Sequence, residues 1–261
     1  MQLIDSHCHF DFPEFDPDRA SLWARCMASG ISKLVIPSVE PSRCNALFKI
    51  TEQLTGIYGA AGLHPWWIAT WLKEHIDPAK LDEQLAEFLQ LPNCVAVGEC
   101  GVDGLIDAPL ERQQPLFEQQ LKLACEYNLP VIVHVRKAHN QVLETLKKYR
   151  PSRGGVIHGF SGSAELGDSY WKMGFRLGIG GTITYVRAHK TRQAVQQLPL
   201  EALLLETDAP DMPLSGKQGK PNSPLYLPEV AECLAALRGE SLENIAQITT
   251  ENSLTLFNFA D

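Results

Sequence analysis

"LPVIVHVRKAH", residues 129–139, sets the reading of the whole chain. Val131, Ile132, Val133 and Val135 form an apolar run that only His134 interrupts. A run this apolar is buried on both faces, which is the mark of a strand inside a parallel sheet. Seven other stretches have the same character: Leu3–Asp5, Lys33–Ser38, Ile57–Leu63, Val95–Glu99, Gly155–Gly159, Phe175–Gly180 and Leu203–Thr207. The segments between them carry helical periodicity. Asp16 and Asp77 stand as N-caps, each followed by proline, and Gly30 ends the first helix. Pro115 requires a boundary or a kink in the helix around 109–128. Two further helices are expected at Leu227–Leu237 and Leu242–Phe257. Eight strands with helical crossovers predict an α/β fold of one domain, residues 1–261, a (β/α)8 TIM-like barrel. An open doubly wound sheet is the competitor, but no GxGxxG follows the first strand.

The 261 residues are 44% hydrophobic and 21% charged, enough for a sizeable core. A net charge of −8 argues against coating duplex DNA or anionic lipid through bulk electrostatics, so a polyanion would need local cations. No apolar run approaches the ~20 residues of a membrane span. With polar residues from Asp5 onward and seven scattered cysteines lacking a CxxC pair, the expectation is a cytoplasmic protein with reduced, inert thiols and no membrane or obligate protein partner.

Function is legible at the strand ends. Strand one runs into His7 and His9, strand three into His64, strand four ends at Glu99, strand five at His134, strand six at His158 and strand eight at Asp208. Ionisable groups ending apolar strands are costly unless paired or coordinated. Alternation along a strand places Asp5, His7 and His9 on one side and turns Cys8 away; it also separates Glu99 from Cys100, and Glu206 with Asp208 from Thr207. Histidines and carboxylates without thiolate suit Zn, Mn, Ni or Mg. Six candidate metal ligands (His7, His9, Glu99, His134, His158, Asp208) exceed the needs of one ion, and Glu99 can bridge two. Asp5 is expected to orient a histidine, and Glu206 to support a ligand or relay a proton. Arg136, two residues beyond His134, suits a phosphate contact or a rim salt bridge. Lys217 and Lys220, in the long 209–224 connection after strand eight, either add local positive charge or are simply solvated. Trp66, Trp67 and Trp71 are read mainly as packing residues, with base stacking the alternative. His75, His139 and His189 are read as surface or helix residues.

"DSHCHFD", "GLHP", "VGECGVD", "LPVIVHVRKAH", "IHGFSGS" and "LLLETDAPDMP" together resemble the TatD family of metal-dependent deoxyribonucleases among the amidohydrolase-like barrels, nearest its YjjV-type members. The resemblance spans nearly the whole chain. It implies a distorted TIM barrel with two divalent ions, one on His7, His9, Glu99 and Asp208, the other on Glu99, His134 and His158. It also implies that His64 touches substrate phosphate and that the substrate is DNA, at ends or single strands. "GECGVDGL" lacks the aromatic that often follows this motif, and "HVR" replaces the commoner "HSR", which puts substrate preference in question rather than the ligands. The expected reaction is phosphodiester hydrolysis with Asp208 as general base. Two other readings are hydrolysis of an ester or amide, such as an aminoacyl-tRNA linkage, and a non-catalytic binding protein that keeps its metal site.

Overall fold

The structure, a computed structural model, describes residues 2–75 and 77–259. Its eight strands are β1 (Leu3–Asp5), β2 (Ile31–Pro37), β3 (Ile57–Ala61), β4 (Cys94–Asp103), β5 (Val131–Arg136), β6 (Gly155–Ile157), β7 (Phe175–Ile179) and β8 (Leu203–Leu205). They form one sheet in chain order, each parallel to the next. The seam between β8 and β1 is closed by backbone bonds, Ser6 N–H to Leu205 O (3.0 Å) and Asp208 N–H to His7 O (2.8 Å). The helices are α1 (Arg19–Ala28), α2 (Pro41–Gln53), α3 (Pro65–Glu74), α4 (Lys80–Leu89), α5 (Leu110–Glu126), α6 (His139–Tyr149), α7 (Ala164–Trp171), α8 (His189–Gln197), α9 (Leu227–Arg238) and α10 (Leu242–Phe257). This is the expected TIM-like barrel. Among the described residues no helix is long and apolar enough to cross a membrane.

Alternation divides the core in two. Leu34, Ile36, Val131, Val133, Ile157, Leu203 and Leu205 pack outward against the helices. Val35, Ala60, Ala96, Ile132, Val156 and Leu204 fill the barrel interior, closed by Leu256 and Phe257 of α10. Each Val, Leu or Ile side chain among them contributes roughly 1.5–3 kcal/mol by leaving water. Both faces are therefore dry, which is why the strands read as unbroken apolar runs.

Local expectations failed where capping was concerned. α1 starts two residues past Pro17, its N-cap is Asp18, and Asp16 is instead an acceptor for the Arg19 guanidinium. Asp77 Oδ1 accepts from the Ala79 amide at 2.9 Å, so it closes a turn ahead of α4 rather than capping it. Pro115 sits inside α5. It lies on the exposed face of the helix, in its second turn. Of the cysteines, all free, Cys125 is exposed rather than in the core.

β4 departs from simple pleating. Cys94 pairs with Gly59 but Ala96 with Ala60, and Val97 pairs with Val131 but Cys100 with Val133. Each step inserts one extra residue, a β-bulge, and the second falls on Gly98 and Glu99. Val97 and Cys100 both face the helices, so the bulge turns Glu99 inward. Gly101, just beyond, has φ +139, and a Cβ there would lie 2.0 Å from the His134 carbonyl oxygen. Gly174 has φ +85 but open space around it. Gly101→Ala is therefore expected to cost more than about 3 kcal/mol of stability, while Gly174→Ala costs only ~1–2 kcal/mol of backbone strain. Thermal or urea unfolding of the two variants side by side checks this order.

Candidate metal centre and active-site cavity

The carboxyl ends of the strands gather the ionisable residues. Two residues beyond interior Ile132 stands His134, two beyond Val156 stands His158, and beyond Leu204 come Glu206 and Asp208. His7 and His9 follow β1 in extended chain held by Cys8 N–H to Val35 O (3.1 Å) and His9 N–H to Ala209 O (2.8 Å). Their Nε2 atoms lie 3.4 Å apart, while Cys8 is turned the other way, its Sγ against Ala209 O at 3.5 Å.

Glu99 is the hub. It is 1% exposed, and its two oxygens face different partners. Oε2 lies 3.3 Å from His7 Nε2 and 3.6 Å from His9 Nε2. Asp208 Oδ1 lies 3.4 and 3.5 Å from the same two nitrogens. Four donors bound tetrahedrally at ~2.1 Å would be about 3.4 Å apart, the spacing seen among His7, His9 and Asp208, and from His7 and His9 to Glu99; His7, His9 and Asp208 form one group close enough to hold an ion. Oε1 of Glu99 faces His134 Nδ1 at 3.1 Å and His158 Nε2 at 3.2 Å. This second set is more open: the His134 and His158 ring centroids are 5.8 Å apart, His158 grouping more closely with His7 and Glu99, and His134 with His64 and Glu99. Glu99 Oε2 and the Nδ1 atoms of His7 and His9 are buried without a hydrogen-bond partner. A cation at the first set would satisfy that carboxylate oxygen, and on this ground the residues fit a bound metal.

His64 lies among these groups, its Nε2 3.3 Å from Glu99 Oε1 and 3.1 Å from His134 Nδ1. Its proton settles its role. The Trp66 amide donates to His64 Nδ1 at 3.1 Å and so caps α3, which leaves the ring proton on Nε2. His64 thus points an N–H, rather than a lone pair, at the cluster. His134 is the reverse. Asp103, ionised, accepts from His134 Nε2 at 3.1 Å and from the Trp66 indole N–H at 2.9 Å, both on Oδ2, while Oδ1 takes the Leu105 amide at 2.8 Å. The ring proton is on Nε2, and the Nδ1 lone pair faces the cluster, where the His64 Nε2–H lies 3.1 Å away.

The electrostatics follow from burial. Desolvation pushes His7 well below its usual value and His64 down to about 4. It also opposes charge on His158, but Glu99, Asp208 and Glu206 outweigh it and raise His158 to about 10. Burial raises Asp208 to about 6 against the pull of His158 and His9. Glu99 is held well below the carboxylate range, because His64, His158 and His7 overcome its burial. Burial would raise Asp103 as well, but the donors from His134, Trp66 and Leu105 hold it low.

Other expected residues fall as follows. Asp5, pushed up to about 8 by burial, does not reach a histidine ring; it accepts from the His7 and Thr207 amides and from the Thr207 hydroxyl at 2.6 Å, tying β1 to the chain before Asp208. Glu206 Oε1 accepts from the Gly159 amide and lies 3.5 Å from His158 Nδ1. Gly178 makes room for it, since a Cβ there would meet Glu206 Oε2 at 1.9 Å. Arg136 lines the cavity above the cluster. Lys217 pairs with Glu229 at 3.0 Å and lies over the Tyr226 ring, and neither it nor Lys220 lines the cavity. Trp71 packs, donating to Gln84, but Trp66 and Trp67 line the cavity. His139 opens α6, in keeping with the helix reading, and its half-buried ring also lines the cavity, with Nδ1 2.9 Å from the Tyr170 hydroxyl.

The cavity measures about 710 Å³. His9, Glu99, His134, His158 and Asp208 line it at the strand ends, with Phe12, Trp66, Trp67 and Phe160 as aromatic walls, and Arg136 and Lys137 as exposed cations opposed by the single exposed acid Asp211. Asp103 and three further residues that matter here were not among the candidates read from the sequence. Gln113 and Gln120 of α5 bond both the N–H and C=O of Asp103 and Leu63 respectively, locking the ends of β4 and β3. Asn222 bonds Thr207 O and Met212 O and so closes the long loop. The one signal in the sequence was a pair of glutamines seven apart on an apolar helix face.

The family model described as TatD related DNase matches residues 4–258. An uncharacterized metal-dependent hydrolase of Escherichia coli (strain K12), YjjV, is 44% identical over 98% of both chains. The crystal structure of the E. coli YjjV protein, a TatD homolog, superposes with a TM-score of 0.92 over 99% of this chain and 98% of that one. A Rahnella sp. (strain Y9602) protein named 3'-5' ssDNA/RNA exonuclease TatD is 32% identical over 94% of both. Because Glu99 serves both donor sets, Glu99→Ala is expected to weaken divalent-cation binding at both together, at least on the order of a hundredfold, beyond the loss of an outer hydrogen bond. Metal titration by calorimetry, with metal analysis after dialysis, reads this directly.

Proposed function

Since this chain belongs to the TatD-related DNase family, we propose that it is a metal-dependent hydrolase that cleaves phosphodiester bonds at the ends of single-stranded nucleic acid, DNA first among them. The observation that carries the reading is Glu99, whose two oxygens each face a separate set of imidazoles at the strand ends, beside a cavity that Arg136 and Lys137 also line. His7, His9, Glu99 and Asp208 would hold one divalent ion, and Glu99, His134 and His158 a second. When bound, such ions polarise a phosphate oxygen and supply a water ionised near neutral pH. Zn, Mn, Ni and Mg all suit an oxygen and imidazole donor set.

The remaining steps belong to the chain's own residues. Asp208 Oδ1 faces His7 and His9, leaving Oδ2 to accept the proton of the attacking water. His64 is neutral and presents its Nε2–H, so it donates to a substrate phosphate oxygen. Arg136, exposed at the cavity rim, takes the neighbouring phosphate through its planar fork. Glu206 does not line the cavity and supports His158 from behind. The overall charge of −8 gives long duplex little attraction, whereas a short, flexible end enters a 710 Å³ cavity whose positive charge is local.

Asp208→Asn is expected to keep most of its metal while hydrolysis of an end-labelled single-stranded oligonucleotide falls by ~10²–10⁴. Near-normal turnover would remove Asp208 as the base. Arg136→Ala is expected to raise KM for the oligonucleotide about tenfold with little change in kcat, as loss of a charged hydrogen bond to a phosphate does. Running duplex DNA and an aminoacyl ester in parallel tests the choice of bond: faster turnover of the ester would overturn the phosphodiester reading.

A further inference from the structure

Trp66 is a large aromatic residue that stands half exposed, at 50%, on the wall of the cavity. Its indole lies nearly parallel to Trp67 (20°, centroids 6.3 Å apart) and perpendicular to His64 (90°, 5.3 Å). An exposed tryptophan ordinarily samples several rotamers. This one is pinned, because its N–H is bonded to the buried Asp103 Oδ2 at 2.9 Å. The same oxygen accepts from His134 Nε2 at 3.1 Å, and the other nitrogen of that ring faces Glu99. One carboxylate therefore fixes both an exposed aromatic surface and a ring of the candidate metal centre. With its polar edge occupied, the indole has only its π-face left to offer a ligand.

We propose that Trp66 is the platform on which the terminal nucleobase of the substrate stacks, and that Asp103 positions Trp66 and His134 together, setting the offset between the stacked base and the metal centre. This rests on the nucleic-acid reading above. The basic groups Arg136 and Lys137 line the same cavity, so a chain whose end base lies on Trp66 has cations near for its phosphates. The volume of 710 Å³ is within the range that encloses a ligand of nucleotide size. Every base has a π-face, so the platform gains affinity without base identity, and an end is held with little sequence preference.

The test is calorimetric binding of two non-hydrolysable phosphorothioate dinucleotides, one complete and one lacking its terminal base. Wild type is expected to bind the complete form about tenfold more tightly, the value of one stacked base. Trp66→Ala should lose that preference by weakening only the complete form, with bound metal unchanged. Trp66→Phe, which keeps a ring and loses the N–H, should keep only part of the preference, with bound metal unchanged, and it answers the question if the alanine variant fails to fold. Asp103→Asn should reduce the base preference and also weaken metal retention about tenfold or more. Equal weakening of both dinucleotides by Trp66→Ala, or of neither, overturns the platform. Asp103→Asn that loses metal yet keeps the full base preference overturns the coupling. Binding needs no turnover, so the two readings separate. A wild type that prefers the base but cleaves no oligonucleotide sinks the nuclease reading and leaves the platform. One that cleaves without any base preference sinks the platform alone.

Discussion

Five imidazoles and two carboxylates buried at the mouth of one barrel are costly unless each atom has a partner, and Glu99 is the group that makes the arrangement hold together. With both oxygens buried and turned to different histidines, it links strands one, three, five and six through a single side chain. Its place depends on the backbone: the bulge in β4 turns it inward, and the Glu99 amide is tied to Ser38 O at 3.0 Å. Without the extra residue, Glu99 would follow Val97 onto the helix side of the sheet and the cluster would lose its centre.

Around that centre lies a layer of groups whose task is to orient rings. Asp103 places the proton of His134 on the far nitrogen, the Trp66 amide does the opposite for His64, and Glu206 stands behind His158. Two rings 3.1 Å apart thus face the same oxygen through opposite nitrogens, His134 with a lone pair suited to coordinate and His64 with an N–H suited to donate. Gln113 and Gln120 hold the strand ends that carry these residues, and Asn222 folds the loop beyond Asp208 back over the barrel.

The architecture and the identity of the polar cluster were readable in the chain because the physics behind them is local. A parallel strand buried on both faces must be apolar along its length, so all eight strands stood out, and an ionisable residue at such a strand's end is conspicuous. Helix starts were less readable: Asp16 and Asp77 both have a capping side chain before proline, yet each bonds elsewhere, since a cap depends on where the first turn settles by a residue or two. The wall of the cavity was hidden as well. Phe12, Lys137 and His139 carry no pattern of their own, and His139 read as a plain helix residue.

Sequence alone determined that this chain folds into a parallel barrel and that histidines and carboxylates collect at the carboxyl ends of its strands, because burial dictates residue type one strand at a time. Tertiary structure decided which atoms meet. It set the two-sided sharing of Glu99, the opposed tautomers of His64 and His134, the commitment of Lys217 to Glu229, and the exposure of Trp66 beside a buried Asp103. Those outcomes turn on tenths of an ångström between residues tens of positions apart, and on a bulge that reverses the parity of one strand. Neither leaves a trace in residue order, because alternation and spacing encode which face a side chain takes and not which partner it finds there.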